Sequence, residues 1–127
     1  MFVKRCECGK VLGFYSLVCA AYAPAVVGRE ANEIFSRVSS APAIYLAHLG
    51  VDEPLQHCGF GKELMRDAFA RVLEIAEQVG VYCLVLDAAT DELVPFYGKF
   101  GFKLFAGGES ADRRMFIPIP TIRDALS

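Results

Sequence analysis

Neither sign of charge dominates this sequence. Lysine and arginine total 13 against 15 aspartates and glutamates, giving a net charge of −2 and a pI near 5.7. A chain so balanced has no general attraction for nucleic acid, so any contact with RNA needs a local basic patch. Lys4, Arg5 and Lys10 toward one end, and Arg113 and Arg114 toward the other, are the candidates, although such groups are commonly plain solvated charges. No apolar run reaches the roughly 18 residues of a membrane span. The longest, Val11 to Val27, is broken by Gly13, Ser16 and Pro24. A secretory leader is not expected either, because Lys4, Arg5 and Glu7 run into a Gly9-Lys10 turn and not into a short apolar core. These absences read as a soluble cytoplasmic protein with no membrane partner. The five cysteines, Cys6, Cys8, Cys19, Cys58 and Cys83, are odd in number and irregular in spacing, which suits reduced thiols and not a disulfide framework. Cys6-Glu7-Cys8 has the wrong spacing for zinc and no second Cys/His pair follows, so no metal is expected. Repeats and low-complexity segments are absent as well.

What is present is apolar. Hydrophobic residues make up 54% and charged residues 22% of 127 positions, enough for one core and one domain spanning 1–127. Phe2 to Glu7 and Val11 to Ala21 read as two strands around a short turn at Cys8-Gly9-Lys10. Arg29 to Val38 reads as a short helix closed by Pro42. Ala43 to Val51 is a nearly continuous apolar run, as in a central strand covered on both faces, and Gly50 within it suggests a bulge or a close backbone approach. Phe60 to Val79 is amphipathic: Phe60, Leu64, Ala68, Val72, Ala76 and Val79 form one stripe, with Gly80 as the stop. Val81 to Ala88 reads as a buried strand. Thr90 is placed to cap a helix over Asp91 to Phe100, with strands at Phe102 to Phe105 and Arg114 to Ile119. This order implies an α/β domain with a mixed, mostly antiparallel sheet flanked by helices.

The chemistry concentrates at residues 49–62. Gln56-His57-Cys58-Gly59-Phe60-Gly61 lies between a buried strand and the strongest helix. A phosphate there meets free backbone N–H groups and the positive end of the helix dipole, and glycines let the backbone come close. An ordinary tight turn explains two glycines equally well. A P-loop is excluded, because no Gly-Lys-Ser/Thr follows. A dinucleotide fingerprint is excluded too, since position 64 is Leu where a third glycine belongs.

Gln56, Gly59 and Gly61, together with Tyr97, Gly101 and Phe102, resemble the two signatures of the GNAT family of N-acetyltransferases, Gln/Arg-x-x-Gly-x-Gly/Ala and Tyr-x-x-x-Gly-Phe. The resemblance runs from Val3 to Ile119. Around Leu49 to Asp52, Gly61 to Glu77 and Phe96 to Phe102 it is most similar to the acetyltransferase toxins encoded with ribbon-helix-helix antitoxins, which acetylate the amino group of aminoacyl-tRNA. The resemblance implies acetyl-CoA as cosubstrate, held by Leu49, Val51, Gln56, His57, Cys58, Gly59, Phe60, Gly61, Lys62, Thr90 and Phe96. It implies Tyr97 as the general acid, and a ribbon-helix-helix antitoxin and a second copy of the chain (a homodimer) as partners. Two features depart from the family. Thr90 stands where many members carry a cofactor-contacting Asn, and the usual first strand and two helices are not represented ahead of the first hairpin. The latter leaves open a shortened, weakly active CoA-binding module or assembly subunit.

A neutral phenol has a pKa of about 10 against about 8.5 for a thiol, so Tyr97 stays protonated near pH 7 and can donate to a departing thiolate. Local sequence also allows it to be a core aromatic beside Phe96 and Phe100. The pantetheine arm is expected along Leu46 to Val51, with a backbone N–H near Leu49 facing the oxyanion. His48, Asp52, Glu53 and His57 lie near the turn, and none is singled out as a base. An α-amine, with a pKa of about 7.7–8.0 against about 10.4 for lysine, needs such help least. That favours aminoacyl-tRNA, with a small-molecule amine second. Cys58 as a covalent acetyl carrier fits poorly, because a backbone N–H aimed at phosphate turns its side chain away.

Overall fold

The structure is a computed structural model that describes residues 2–5, 11–35, 37, 40–51, 60–105 and 113–126. Strands β1 (Phe2–Arg5) and β2 (Val11–Tyr22) form the expected hairpin, with Phe2 opposite Tyr15 and Lys4 opposite Gly13. A 3-10 turn at Pro24–Val27 and helix α1 (Arg29–Ile34) lead to β3 (Ala41–Val51). Helix α2 (Phe60–Gln78), β4 (Cys83–Asp87), α3 (Leu93–Gly98), β5 (Lys103–Leu104), β6 (Arg114–Pro118) and α4 (Ile119–Leu126) complete the order. The six strands lie in the order β1-β2-β3-β4-β6-β5. Every neighbouring pair is antiparallel except β3–β4, which is parallel and bridged by α2. The mixed, mostly antiparallel α/β sheet expected from sequence is therefore what forms.

The two faces follow from strand alternation. Leu84 and Leu86 join Ile44, Leu46 and Ile117 against Leu64, Met65, Ala68, Phe69 and Val72 of α2 and Ile122 of α4. Cys83 and Val85 point the other way, onto Ala43, Phe116, Val27 and Ala31. With both faces covered, β4 has to be a continuous apolar run, and Cys83 to Leu86 are all buried. In α2 the buried stripe includes Met65 and Phe69 beside the expected Leu64, Ala68 and Val72, while Val79 lies past the helix end and is exposed. Burial also raises the Cys83 thiol to about 12, which leaves it a packing residue and not a nucleophile.

Several local readings are corrected. Pro42 does not close a helix: it is the second residue of β3, ahead of the first β3–β4 pair, and its carbonyl accepts the Tyr82 N–H at 2.9 Å. Thr90 makes no side-chain cap. Helix α3 begins at Leu93, whose N–H donates to the Thr90 carbonyl at 3.2 Å. The final strand ends at Pro118, and Ile119 opens α4, with Pro120 tolerated in a first helical turn where no N–H is needed. Gly101 after α3 has φ +112°, and a Cβ there would lie 2.9 Å from Thr121 Cγ2 and 3.2 Å from Ile117 Cδ1. Gly101→Ala is expected to cost about 1–3 kcal/mol in urea unfolding, from backbone strain compounded by the clash. Gly80→Ala, with nothing within 4 Å, is expected to be neutral or to gain about 0.4–1 kcal/mol, which separates strain from a generic glycine effect.

Candidate active site

Strands β3 and β4 stay paired for only three positions, Ala43–Cys83, Ile44–Leu84 and Tyr45–Val85. Both strands then continue apart, β4 to Asp87 and β3 to Val51. Each keeps its outer neighbour: Val51 is opposite Gly13 of β2, and Asp87 opposite Arg114 of β6. The result is a wedge into which the backbone of Leu46–Val51 presents N–H and C=O groups that β4 does not satisfy. An extended ligand bearing amides can pair there as an added strand does.

The other edge of β3 carries a bulge. Ser16 pairs with Ala47 and Phe14 with Gly50, so β3 advances three residues while β2 advances two. One extra residue therefore sits between Ala47 and Gly50, as the glycine suggested, and a bulge of this kind bends the strand and re-aims its backbone groups. Tyr15 lies opposite it. Its hydroxyl donates to Asp67 of α2, whose carboxylate also meets Arg71 Nε at 3.4 Å. Burial and the Asp67 bond push the Tyr15 phenol well above its ordinary range. The bulged end of the sheet is thus tied to α2.

Of the residues expected to hold a cofactor, Leu49 and Val51 lie in the parted half of β3, and Phe60, Gly61 and Lys62 form the first turn of α2, with Lys62 exposed. The first-turn N–H groups of a helix have no intrahelical acceptor and sit at its positive end. Gln56, His57, Cys58 and Gly59 lie outside the described residues, as do Asp52 and Glu53. Thr90 is exposed in the turn after β4. Among the described residues, no three His, Cys, Asp or Glu side chains converge as a cation site, and no helix is long and apolar enough to cross a membrane.

Tyr97 and Phe96 sit on α3, their rings 5.3 Å apart in an edge arrangement. Tyr97 also meets Phe102 at 6.0 Å, and Phe102 meets Phe69 of α2 at 6.0 Å. The core-aromatic reading therefore holds for the ring, which is 7% exposed. The hydroxyl differs: it bonds no described side chain, yet no buried side-chain oxygen among the described residues lacks a partner. It consequently lies at the core's margin and not deep within it. Burial raises its pKa above the ordinary 10.0 and keeps it a proton donor.

Two arginines organise the far side of the wedge. Arg113 donates to the carbonyls of Ala88 (3.0 Å) and Ala89 (3.1 Å) and pairs with Asp91 at 3.1 Å, pinning the turn between β4 and α3. Arg114 grips Asp87 with two bonds, Nε to Oδ1 at 2.9 Å and Nη2 to Oδ2 at 3.2 Å, and the Tyr45 hydroxyl donates to Asp87 Oδ2 at 2.6 Å. The Arg114 bonds hold the Asp87 carboxyl below its ordinary range, whereas burial and Asp87 raise Tyr45 to about 12. Both arginines are therefore committed to carboxylates and do not form a free basic patch. Sequence reasoning passed over Asp87 and Tyr45. The available signal was a single carboxylate at the end of an otherwise apolar strand.

The acetyltransferase (GNAT) domain family matches residues 1–104. A probable TacT toxin of Sinorhizobium fredii is 32% identical, over 91% of this chain and 66% of its own length. A tRNA-acetylating toxin of Mycobacterium tuberculosis is 35% identical, over 78% of this chain and 58% of its own. The chain thus spans 66% and 58% of the length of these two relatives. The AtaT toxin, solved with acetyl-methionyl-tRNAfMet, superposes with a TM-score of 0.82 at 22% identity, over 98% of this chain and 72% of its own. As AtaTR bound with acetyl-CoA, the TM-score is 0.77 at 22% identity, with the same 98% and 72% coverage. At those identities the superpositions bear on the fold alone. By its sequence match over residues 1–104, the chain belongs to the GNAT family of acetyltransferases.

Proposed function

We propose that this chain moves an acetyl group from acetyl-CoA to a primary amine, within one domain spanning 1–127. The observation that carries the reading is the wedge where β3 leaves β4, bulged at Ala47–Gly50 and opening beside the start of α2, with Tyr97 at the edge of the helical face. Backbone groups from Leu46 to Val51 pair with the amides of the pantetheine arm. The free N–H groups of Phe60, Gly61 and Lys62, with Gln56 to Gly59 ahead of them, take the pyrophosphate. Thr90 and Phe96 line the approach from the α3 side. A backbone N–H near Leu49, re-aimed by the bulge, faces the oxygen on which charge builds. The acceptor amine attacks the thioester carbon in its neutral form, the C–S bond breaks, and the Tyr97 hydroxyl gives its proton to the leaving sulfur. The nitrogen, cationic after attack, releases its surplus proton to solvent, from which the Tyr97 phenolate is reprotonated.

The acceptor we favour is the α-amino group of aminoacyl-tRNA. It is neutral over a useful fraction near pH 7.7–8.0, so it needs no strong base. The similarity to a tRNA-acetylating toxin supports the same acceptor. The fold likeness to AtaT, a toxin solved with the C-terminus of its antitoxin AtaR, supports an antitoxin as partner, which we expect to be of the ribbon-helix-helix kind, in a cytoplasmic setting. A homodimer is the assembly we expect. The engagement of Arg113 and Arg114 by Asp91 and Asp87 moves the search for tRNA-facing charge to Lys4, Arg5 and Lys10.

Calorimetry with acetyl-CoA is expected to give saturable binding, and absence of binding would sink the proposal. Thiol release is expected with charged tRNA and to be slower with free small amines. Release with small amines alone would redirect the acceptor. Binding without release to any amine would mark a CoA-binding module instead. Tyr97→Phe is expected to retain acetyl-CoA affinity while the turnover rate falls about 10²–10⁴-fold. The pH profile gives a separate check. Because burial raises Tyr97 from 10.0, the rate should climb as the amine deprotonates toward pH 8, and any alkaline falling limb should have its midpoint above pH 10. A falling limb with its midpoint below pH 10 would exclude Tyr97 as the acid.

A further inference from the structure

The Tyr45–Asp87–Arg114 cluster sits where the wedge begins. Tyr45 is the last residue of β3 paired with β4, Asp87 is the last residue of β4, and Arg114 is the first of β6 and stands opposite Asp87. The Tyr45 hydroxyl reaches past its own partner, Val85, to a carboxylate two residues further along β4. Arg114 holds that carboxylate in a two-bond grip, and its guanidinium lies 5.6 Å from the Tyr22 ring and 5.9 Å from the Tyr45 ring. One set of side chains therefore joins β3, β4 and β6 at the point where the backbone ladder between β3 and β4 stops. Alternation places it with Cys83 and Val85, on the face opposite α2 and Tyr97.

We infer that Tyr45, Asp87 and Arg114 form a clasp that fixes how far the two strands part, and so positions the thioester for transfer. The inference rests on the acetyl-transfer reading for its functional consequence. A wedge needs a fixed apex. Without backbone bonds beyond Tyr45–Val85, the strands are free to unzip further or to close, and either motion shifts a ligand lying along Leu46–Val51. The clasp supplies the missing cross-strand bond through side chains, and the bidentate arginine gives it a single geometry. Asp87 accepts three bonds and is half exposed, so the cluster contributes little to global stability and acts locally. These are positioning residues that touch neither acetyl donor nor amine. An offset of about 1 Å at the reacting centre costs on the order of 10²-fold in rate, whereas the pyrophosphate is held by the start of α2, to which none of the three side chains bonds.

The test uses Tyr45→Phe, Asp87→Asn and the double variant, each checked for an unchanged thermal midpoint. In ligand-free protein, amide exchange at Leu46, Leu86 and Asp87 is expected to speed up in both single variants, with α2 and α4 unchanged. In thiol-release assays kcat is expected to fall about 10–100-fold while acetyl-CoA affinity stays within about threefold of wild type. The double variant should be no slower than the worse single one, because the one bond that Tyr45→Phe removes, Tyr45 to Asp87, is among those that Asp87→Asn already disturbs. Arg114→Lys, which keeps the charge and loses the fork, should resemble Asp87→Asn. Unchanged amide exchange overturns the clasp whatever the wild type does with acetyl-CoA. Losses that multiply in the double variant, or affinity that falls in step with the thermal midpoint, overturn it as well. A wild type that neither binds acetyl-CoA nor releases thiol, with the exchange effect present, refutes the acetyl-transfer reading and leaves the clasp standing.

Discussion

The three-residue parallel ladder between β3 and β4 is the contact on which the rest of the molecule depends. It is the only parallel pair in the described sheet, and a parallel pair needs a crossover, which α2 supplies. The helix buries Leu64, Ala68, Phe69 and Val72 against Ile44, Leu46, Leu84 and Leu86, so it holds both strands from one side. The ladder stops at Tyr45–Val85 although both strands run on, and Leu46 and Leu86, one residue past it on each strand, still pack in the cluster that α2 covers. Helix start, bulge and wedge consequently share one frame. Tyr15, bonded to Asp67 of α2 from its place opposite the bulge, ties the frame at its outer corner.

Tyr97 belongs to the same frame through aromatic packing. Phe69 of α2 meets Phe100 at 6.1 Å and Phe102 at 6.0 Å, and Phe102 meets Tyr97 at 6.0 Å. The short helix α3 is therefore located by edge-on ring contacts to α2 and, at its front, by the Arg113 grip on Ala88, Ala89 and Asp91. An isolated helix of six residues is unstable in water, so these tertiary anchors are what fix the tyrosine. The ring is core, as one of the two readings of the sequence had it, and the proton-donor role rests on the proposed acetyl transfer.

Much of the frame was legible because it is periodic. The long amphipathic stripe gave α2 to within a residue at either end, the continuous apolar runs gave β3 and β4, and Gly50 gave the bulge. The readings that failed involve competition from distant residues. Thr90-Asp91 has the local chemistry of a helix cap, but Arg113 draws Asp91 into an ion pair, and the helix begins at Leu93. Pro42 suits a strand because it precedes the first β3–β4 pair, a fact of register that no local pattern states. The spacing of Ile119, Ile122 and Leu126 already carried the signal for α4, masked by the β-rich run before it. The clasp was hidden for a different reason: Tyr45, Asp87 and Arg114 come from three strands far apart in sequence, and each looks ordinary alone.

The central claim is that the parted half of β3 and the first turn of α2 together receive acetyl-CoA. Following backbone amide shifts by NMR while acetyl-CoA is titrated into the isotope-labelled chain tests it most directly. The largest changes should fall on Leu46–Val51 and Phe60–Lys62, with β1 and the C-terminal half of α4 still. Saturable binding whose largest shifts lie outside both segments would contradict the account.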